Sequence, residues 1–257
     1  MIELESVSYR YPESEPVLRE VSLSIAEGEK VVLLGSNGCG KTTLLKILNG
    51  LIFPDQGAYR YRSEQVTVRR FRDRSWSRGF RQQVVLLFQH PEAMLFNPTV
   101  YDEIAYGLRQ LGEVRDIDGV VREWAVRLGV DSHLKRPPFQ LSGGEKQKVC
   151  LAALLALEPR VLLLDEPTAN LDPRSTGWLV DFLQDLSVTS LATTHNLSLA
   201  GELGSRVLVL SEKHELIFDG RVEELLGDED KLLAANLVHR HRGGGSGDRG
   251  LHVHDWS

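Results

Sequence analysis

The sequence predicts an α/β fold: a core built on a mixed sheet, with a β-rich N-terminal flank and an inserted helical subdomain. Two continuous apolar runs, Val31-Val32-Leu33-Leu34 and Val161-Leu162-Leu163-Leu164, have the length and composition of strands buried on both faces, as in parallel sheets. Strand-like and helix-like segments alternate after residue 160, the order that builds a parallel sheet. Between the first apolar run and a helical one lies Gly35-Ser36-Asn37-Gly38-Cys39-Gly40-Lys41-Thr42, which fills the G-x-x-x-x-G-K-[ST] pattern of a phosphate-binding loop.

Taken in order, Ile2 to Tyr9 and Val21 to Ile25 alternate apolar and polar residues in the manner of strands. In the loop that follows the third strand, Gly35, Gly38 and Gly40 let the backbone fold into a nest of N–H groups around phosphate oxygens. Lys41 meets the β- and γ-phosphates, Thr42 supplies a hydroxyl to Mg²⁺, and Thr43 opens a helix whose positive end favours the same anion. With Ser36, Asn37 and the backbone of Cys39, these residues make a candidate nucleotide site, so ATP and Mg²⁺ are the expected ligands. A thiol reagent on Cys39 is expected to block nucleotide by bulk.

Between Ala58 and Gln83 stand eight arginines, against Glu64 and Asp73. Their reading as a solvated strand pair and loop is favoured over an anionic partner surface. A helical segment follows: Thr99 and Asp102 form a capping box before Val100, Ile104, Leu108 and Leu111, and Val120, Val121, Trp124 and Leu128 mark a second helix. Ser142 and Glu145 cap the next one, and Gly143 and Gly144 at its start expose N–H groups to an anion.

The strand at 161–164 ends in Asp165 and Glu166, where α/β sheets place ligands. Adjacent residues on a strand point to opposite sides, so the two carboxylates can divide the work. Asp165 would hold Mg²⁺ through water, and Glu166 would polarise the water that attacks the γ-phosphate. A helix through Trp178 and Phe182, strands at 190–194, 206–210 and 215–218, and a short helix at 222–226 complete the core. From residue 237 to 257 the composition turns to histidine, arginine and glycine, expected to be a flexible tail.

The chain has 257 residues, 42% hydrophobic and 26% charged, with a formal net charge of −6. That is the balance of a globular protein, with no apolar run of membrane-spanning length and no signal segment. An acidic chain offers no general attraction to nucleic acid, and none is expected as a partner. Two cysteines, Cys39 and Cys150, build neither a zinc cluster nor a disulfide framework.

The phosphate loop, Gln89 after Leu86-Leu87-Phe88, Leu141-Ser142-Gly143-Gly144-Glu145, Asp165-Glu166, Ala169-Asn170-Leu171-Asp172 and His195 after a strand occur in one order and spacing. In these the chain resembles the ATP-binding-cassette ATPases, the nucleotide-binding subunits of transporters, over nearly all of residues 1 to 235. The resemblance implies one domain over 1–236, a nucleotide core at about 1–95 and 160–236, and a helical subdomain at about 96–159. It implies that Tyr11 stacks on adenine, with Tyr9 as its competitor, that Gln89 touches Mg²⁺, and that His195 contacts the γ-phosphate. Ser142, Gly143, Gly144 and Glu145 would act on nucleotide held by a second chain, with Asp172 at the same interface. That second chain would be an identical copy or a paralogous ATPase.

The run from Phe88 to Gly107 is similar to the energy-coupling-factor branch, whose members import vitamins or cobalt and nickel ions. Here His90 replaces an asparagine and Met94 stands where a polar residue is common. The implied partners are a transmembrane subunit and a substrate-binding membrane component, at the cytoplasmic face of the membrane. Two His-x-His pairs, His239 with His241 and His252 with His254, favour cobalt or nickel as cargo, since imidazole suits such ions. A vitamin remains the alternative, and a soluble ATPase acting on nucleic acid or ribosomes the more distant one.

Overall fold

A computed structural model describes residues 1–112, 116–169, 171–240 and 251–253. Strands β1 (Ile2–Arg10), β2 (Pro16–Ile25) and β3 (Lys30–Leu34) precede helix α1 (Lys41–Leu48). Next come β4 (Gln56–Tyr61), β5 (Glu64–Gln65), α2 (Val68–Phe71), α3 (Arg74–Gln83) and β6 (Val84–Leu87). Helices α4 (Val100–Leu111), α5 (Ile117–Leu128) and α6 (Gly143–Leu155) follow, then β7 (Val161–Leu164), α7 (Pro173–Asp185), β8 (Thr189–Thr194) and α8 (Leu197–Leu203). The chain continues through β9 (Arg206–Leu210), β10 (Leu216–Arg221), α9 (Val222–Leu226) and α10 (Glu229–Ala234) to β11 (Val238–Arg240) and β12 (Leu251–Val253).

The central sheet runs β10-β9-β3-β8-β7-β6, parallel throughout except for the antiparallel β9/β10 edge, and is therefore mixed. A second, antiparallel sheet, β2-β1-β4-β5, forms the N-terminal flank. The strands of the central sheet alternate between two cores. Val32, Leu34, Val85, Leu87, Leu162 and Leu164 face a cluster shared with α4 to α7, while Val31, Leu33, Val84 and Leu163 face one shared with α1 and the N-terminal sheet. Because each buried aliphatic side chain contributes roughly 1.5–3 kcal/mol, burial on both faces explains the unbroken apolar runs.

Caps set the helix starts where the sequence places them. Thr99 accepts from Asp102 N at the head of α4, and Ser142 and Glu145 form a complete capping box on α6. The helices α8 and α10 are not foreseen from the sequence, being too short to show a period.

Two expectations are corrected. The arginine segment has the expected strand pair, β4 with β5, but in place of the expected loop it forms α2 and α3, capped by Thr67 and Asp73. Trp76 and Phe80 stack at 5.2 Å along one face of α3 and meet Phe71 edge-on, so aromatics point inward and the guanidinium groups outward. The segment from 237 also does not leave the body at once. Leu237 and Val238 are buried in the core, and β11 pairs antiparallel with β12, placing His239 opposite His252. His241 and His254 lie outside the described residues.

Candidate active site

The carboxyl ends of β3, β6, β7 and β8 open on the same side of the parallel sheet, and each delivers a part of the site. After β3 comes the phosphate loop. Gly35, Gly38 and Gly40 all hold positive φ (154°, 83° and 113°). A Cβ on Gly40 would lie 2.5 Å from Val17 O, so the loop's path excludes any larger residue there. Gly40 caps α1 without a side-chain acceptor, leaving the first-turn N–H groups available to an anion.

Lys41 is almost buried. Its Nζ donates to Gly35 O at 2.7 Å and Ser36 O at 3.2 Å and lies 3.3 Å from Glu166 Oε1. Thr42 Oγ1 donates to Asp165 Oδ2 at 2.8 Å. Glu166 follows in the left-handed region, φ 47°, an uncommon conformation for a side chain that holds its carboxylate against Lys41. His195 Nδ1 lies 3.1 Å from Glu166 Oε2, while Oε1 is buried with no hydrogen-bond partner. The Lys41 ammonium 3.3 Å away offsets the cost of burying that oxygen.

One functional residue escapes the sequence reading. Thr193, fully buried on β8, donates from Oγ1 to Asp165 Oδ1 at 3.0 Å and accepts from Glu166 N at 2.8 Å. A single hydroxyl thereby holds the Asp165 carboxylate and the Glu166 backbone. Its only sequence signal is a threonine in a strand whose every residue is buried, two positions before His195.

A cleft of about 530 Å³ is lined by Val17, Asn37, Gly38, Gly40 to Thr43, Gln89 and Glu166, bringing part of the phosphate loop together with Gln89 and Glu166. Tyr11 reaches Thr43 Oγ1 at 3.3 Å, and Tyr9 meets the Tyr11 ring edge-on at 5.0 Å. Tyr11 therefore stands beside the loop, with Tyr9 as its support. A larger hollow of about 930 Å³ beside β1 and β2 contains no phosphate-loop residue.

Cys39 corrects an expectation. Its side chain is 2% exposed and packs under the loop, where a Cβ on Gly35 would lie 2.5 Å from its Sγ. Burial raises the thiol's pKa, so Cys39 is a poor target for the thiol reagent expected to block nucleotide there.

Ser142 to Glu145 and Asp172 do not line this cleft. Glu145 Oε2 accepts from Ser142 N and Oγ, both at 2.8 Å, and Oε1 meets His133 Nε2 at 3.0 Å. The Ser142 amide, aided by the Ser142 hydroxyl and His133, holds the Glu145 carboxyl below its ordinary range. Asp172 caps α7 by accepting from Arg174 N and Ser175 N, and Ser175 Oγ donates to it at 2.6 Å, which lowers its pKa likewise. Gly144 neighbours Ser175, so the start of α6 and the start of α7 lie side by side.

The ABC transporter family model matches residues 18–169. A protein named as an ABC transporter ATP-binding protein from Caldanaerobacter subterraneus is 41% identical over 242 residues, covering 93% of this chain and 99% of its own length. An energy-coupling factor transporter ATP-binding protein of Methanospirillum hungatei is 38% identical, covering 92% of this chain and 59% of that protein. Among solved structures, cbiO1 from Clostridium perfringens, described as part of the ABC transporter complex cbiONQ, superposes with a TM-score of 0.78 at 28% identity, over 92% of this chain and 94% of that one.

Proposed function

The chain belongs to the ABC transporter ATPases, and from that premise we propose that it powers an energy-coupling-factor-type importer of a transition-metal ion, cobalt or nickel. The observation that carries the catalytic part is the network Lys41–Glu166–His195 beside Thr42–Asp165–Thr193 at the ends of the parallel strands.

In this reading ATP lays its phosphates along the loop and draws Lys41 from Glu166 to the β- and γ-phosphates. The released Glu166 carboxylate then accepts a hydrogen bond from water and directs it at the γ-phosphorus, and the bond to the β,γ-bridging oxygen breaks to give ADP and phosphate. His195 keeps Glu166 aimed and reaches toward the γ-phosphate. The oxygen donors Thr42, Asp165 and Gln89 suit Mg²⁺, a hard cation that takes oxygen ligands beside substrate phosphates. Bound there, Mg²⁺ would neutralise charge on the β- and γ-oxygens. Tyr11 offers its ring to the base.

Ser142, Gly143, Gly144 and Asp172 stand apart from their own chain's cleft, which supports a role on nucleotide held by a second copy or a paralogue. Among the described residues no helix is long and apolar enough to cross a membrane, so transport requires a membrane partner. Exposed Phe96 and Tyr106, paired edge-to-face at 4.9 Å, offer that partner an apolar landing. The energy-coupling-factor relative supports the type of importer, and the two His-x-His pairs in the sequence support a metal ion as cargo.

The test is uptake by vesicles holding this ATPase and its membrane partner, with ATP inside the ATPase compartment and Ni²⁺, Co²⁺ or a vitamin outside. ATP-dependent accumulation of a metal ion is expected. Accumulation of a vitamin would keep the ATPase and discard the metal, while recovery of the chain with no integral membrane partner would move it to the soluble alternative.

A further inference from the structure

The turn joining β9 to β10 touches the phosphate loop at two points. Leu210 O lies where a Cβ on Gly35 would approach within 2.7 Å, and His214 Nδ1 lies 3.1 Å from Cys39 O. The turn is itself closed by Ser211 N to Glu215 O and His214 N to Ser211 O, both 2.9 Å, and tied to β2 by Arg19 N donating to His214 O at 2.9 Å. His214 holds φ 67°, a conformation that glycine or asparagine adopts far more readily than histidine. A turn needing only closure would be better served by glycine. What the imidazole adds is the contact with Cys39.

We propose that His214 is a positioning residue for nucleotide binding, holding the Cys39–Gly40 peptide so that the Gly40 N–H faces the phosphates. A carbonyl oxygen only accepts, so Nδ1 carries the proton and donates. The C=O and N–H of a trans peptide point in opposite directions, so a bond that fixes Cys39 O away from the cleft fixes the Gly40 N–H toward it. Gly40 lines that cleft. On its Gly40 side this peptide has no Cβ to restrict φ, so the clamp removes freedom that the glycine leaves. The inference rests on ATP binding at this loop, a reading that the unaltered chain tests separately by its own affinity for MgADP.

The experiment measures MgADP affinity by calorimetry, and thermal unfolding without nucleotide, for the unaltered chain, His214→Gly and His214→Asn. Glycine relieves the backbone but removes the donor. Asparagine tolerates the left-handed backbone and places an amide N–H near the position of Nδ1. The expected result is that His214→Gly binds MgADP about 3- to 10-fold more weakly, the range of one hydrogen bond, while unfolding at the same or a higher temperature. His214→Asn should bind within about twofold of the unaltered chain. Unchanged affinity in His214→Gly would overturn the proposal and leave His214 a turn residue. Equal weakening in both variants would also overturn it, since the donor would then be irrelevant.

Discussion

The glycines of the phosphate loop and those at the start of α6 answer to different constraints. Gly35 and Gly40 are required by their own chain: each has positive φ, and a Cβ on either would strike Leu210 O or Val17 O. Gly143 has no such reason, since an added Cβ meets nothing within 4 Å. The same contrast extends to the polar groups. Around the phosphate loop, Lys41, Thr42, Asp165, Glu166, Thr193 and His195 complete one another, whereas the start of α6 is capped and then left facing outward. One group is assembled within the chain, while the start of α6 meets no such constraint from its own chain, as the proposed role across an interface requires.

The sharpest way to break this comparison is within the inner network. Glu166→Gln should keep ATP affinity and lower kcat by about 10²- to 10⁴-fold, the span of a general base; phosphate release and nucleotide titration check it, and near-normal turnover would remove Glu166 from its role. At the outer half, Gly143→Asp should fold with an unchanged melting temperature yet lose about 10²-fold in turnover, because the carboxylate would face a phosphate across the interface. A drop in melting temperature instead would mean that Gly143 serves its own chain after all.

A smaller effect sharpens the inner network. Thr193→Val keeps the shape of the side chain but removes the hydroxyl from Asp165 Oδ1 and Glu166 N. Turnover should fall about tenfold or more, with little change in ATP affinity, as expected when a positioning hydrogen bond is lost. Steady-state kinetics separate the two parameters, and a matching rise in KM would point to a binding role.

The smallest effect concerns Glu145. Its folded pKa lies below the ordinary 4.5, so its contribution to stability is complete above that value and is lost as pH falls through the lowered one. The stability gap between the unaltered chain and Glu145→Gln should therefore be widest above pH 4.5 and close on further acidification. Denaturant titrations across that range decide it, and a gap independent of pH would show that the carboxylate charge does not matter to the cap.

Most of the central sheet and the site is legible in the sequence because its signals are local. Strands β3 and β7 announce themselves as unbroken apolar runs, and Ser142 with Glu145 specifies a helix start within four residues. Thr193 is illegible for the opposite reason: its partners, Asp165 and Glu166, are distant in sequence and meet it only through the pairing of β7 with β8. The arginine segment misleads because charge density hides the cluster of Phe71, Trp76 and Phe80, which is completed by Phe53 from outside the segment and by Tyr61 on β4. The β11–β12 ladder escapes because a composition rich in glycine and histidine carries no period.

The packing of Cys39 beneath the phosphate loop reaches beyond nucleotide binding. With its thiol buried and its pKa raised, and with Cys150 pushed to about 12 by burial, neither sulfur supplies an appreciable thiolate at neutral pH. Two buried thiols with raised pKa values are poor targets for oxidants that act through exposed thiolates, so mild oxidation is expected to leave ATP turnover unchanged.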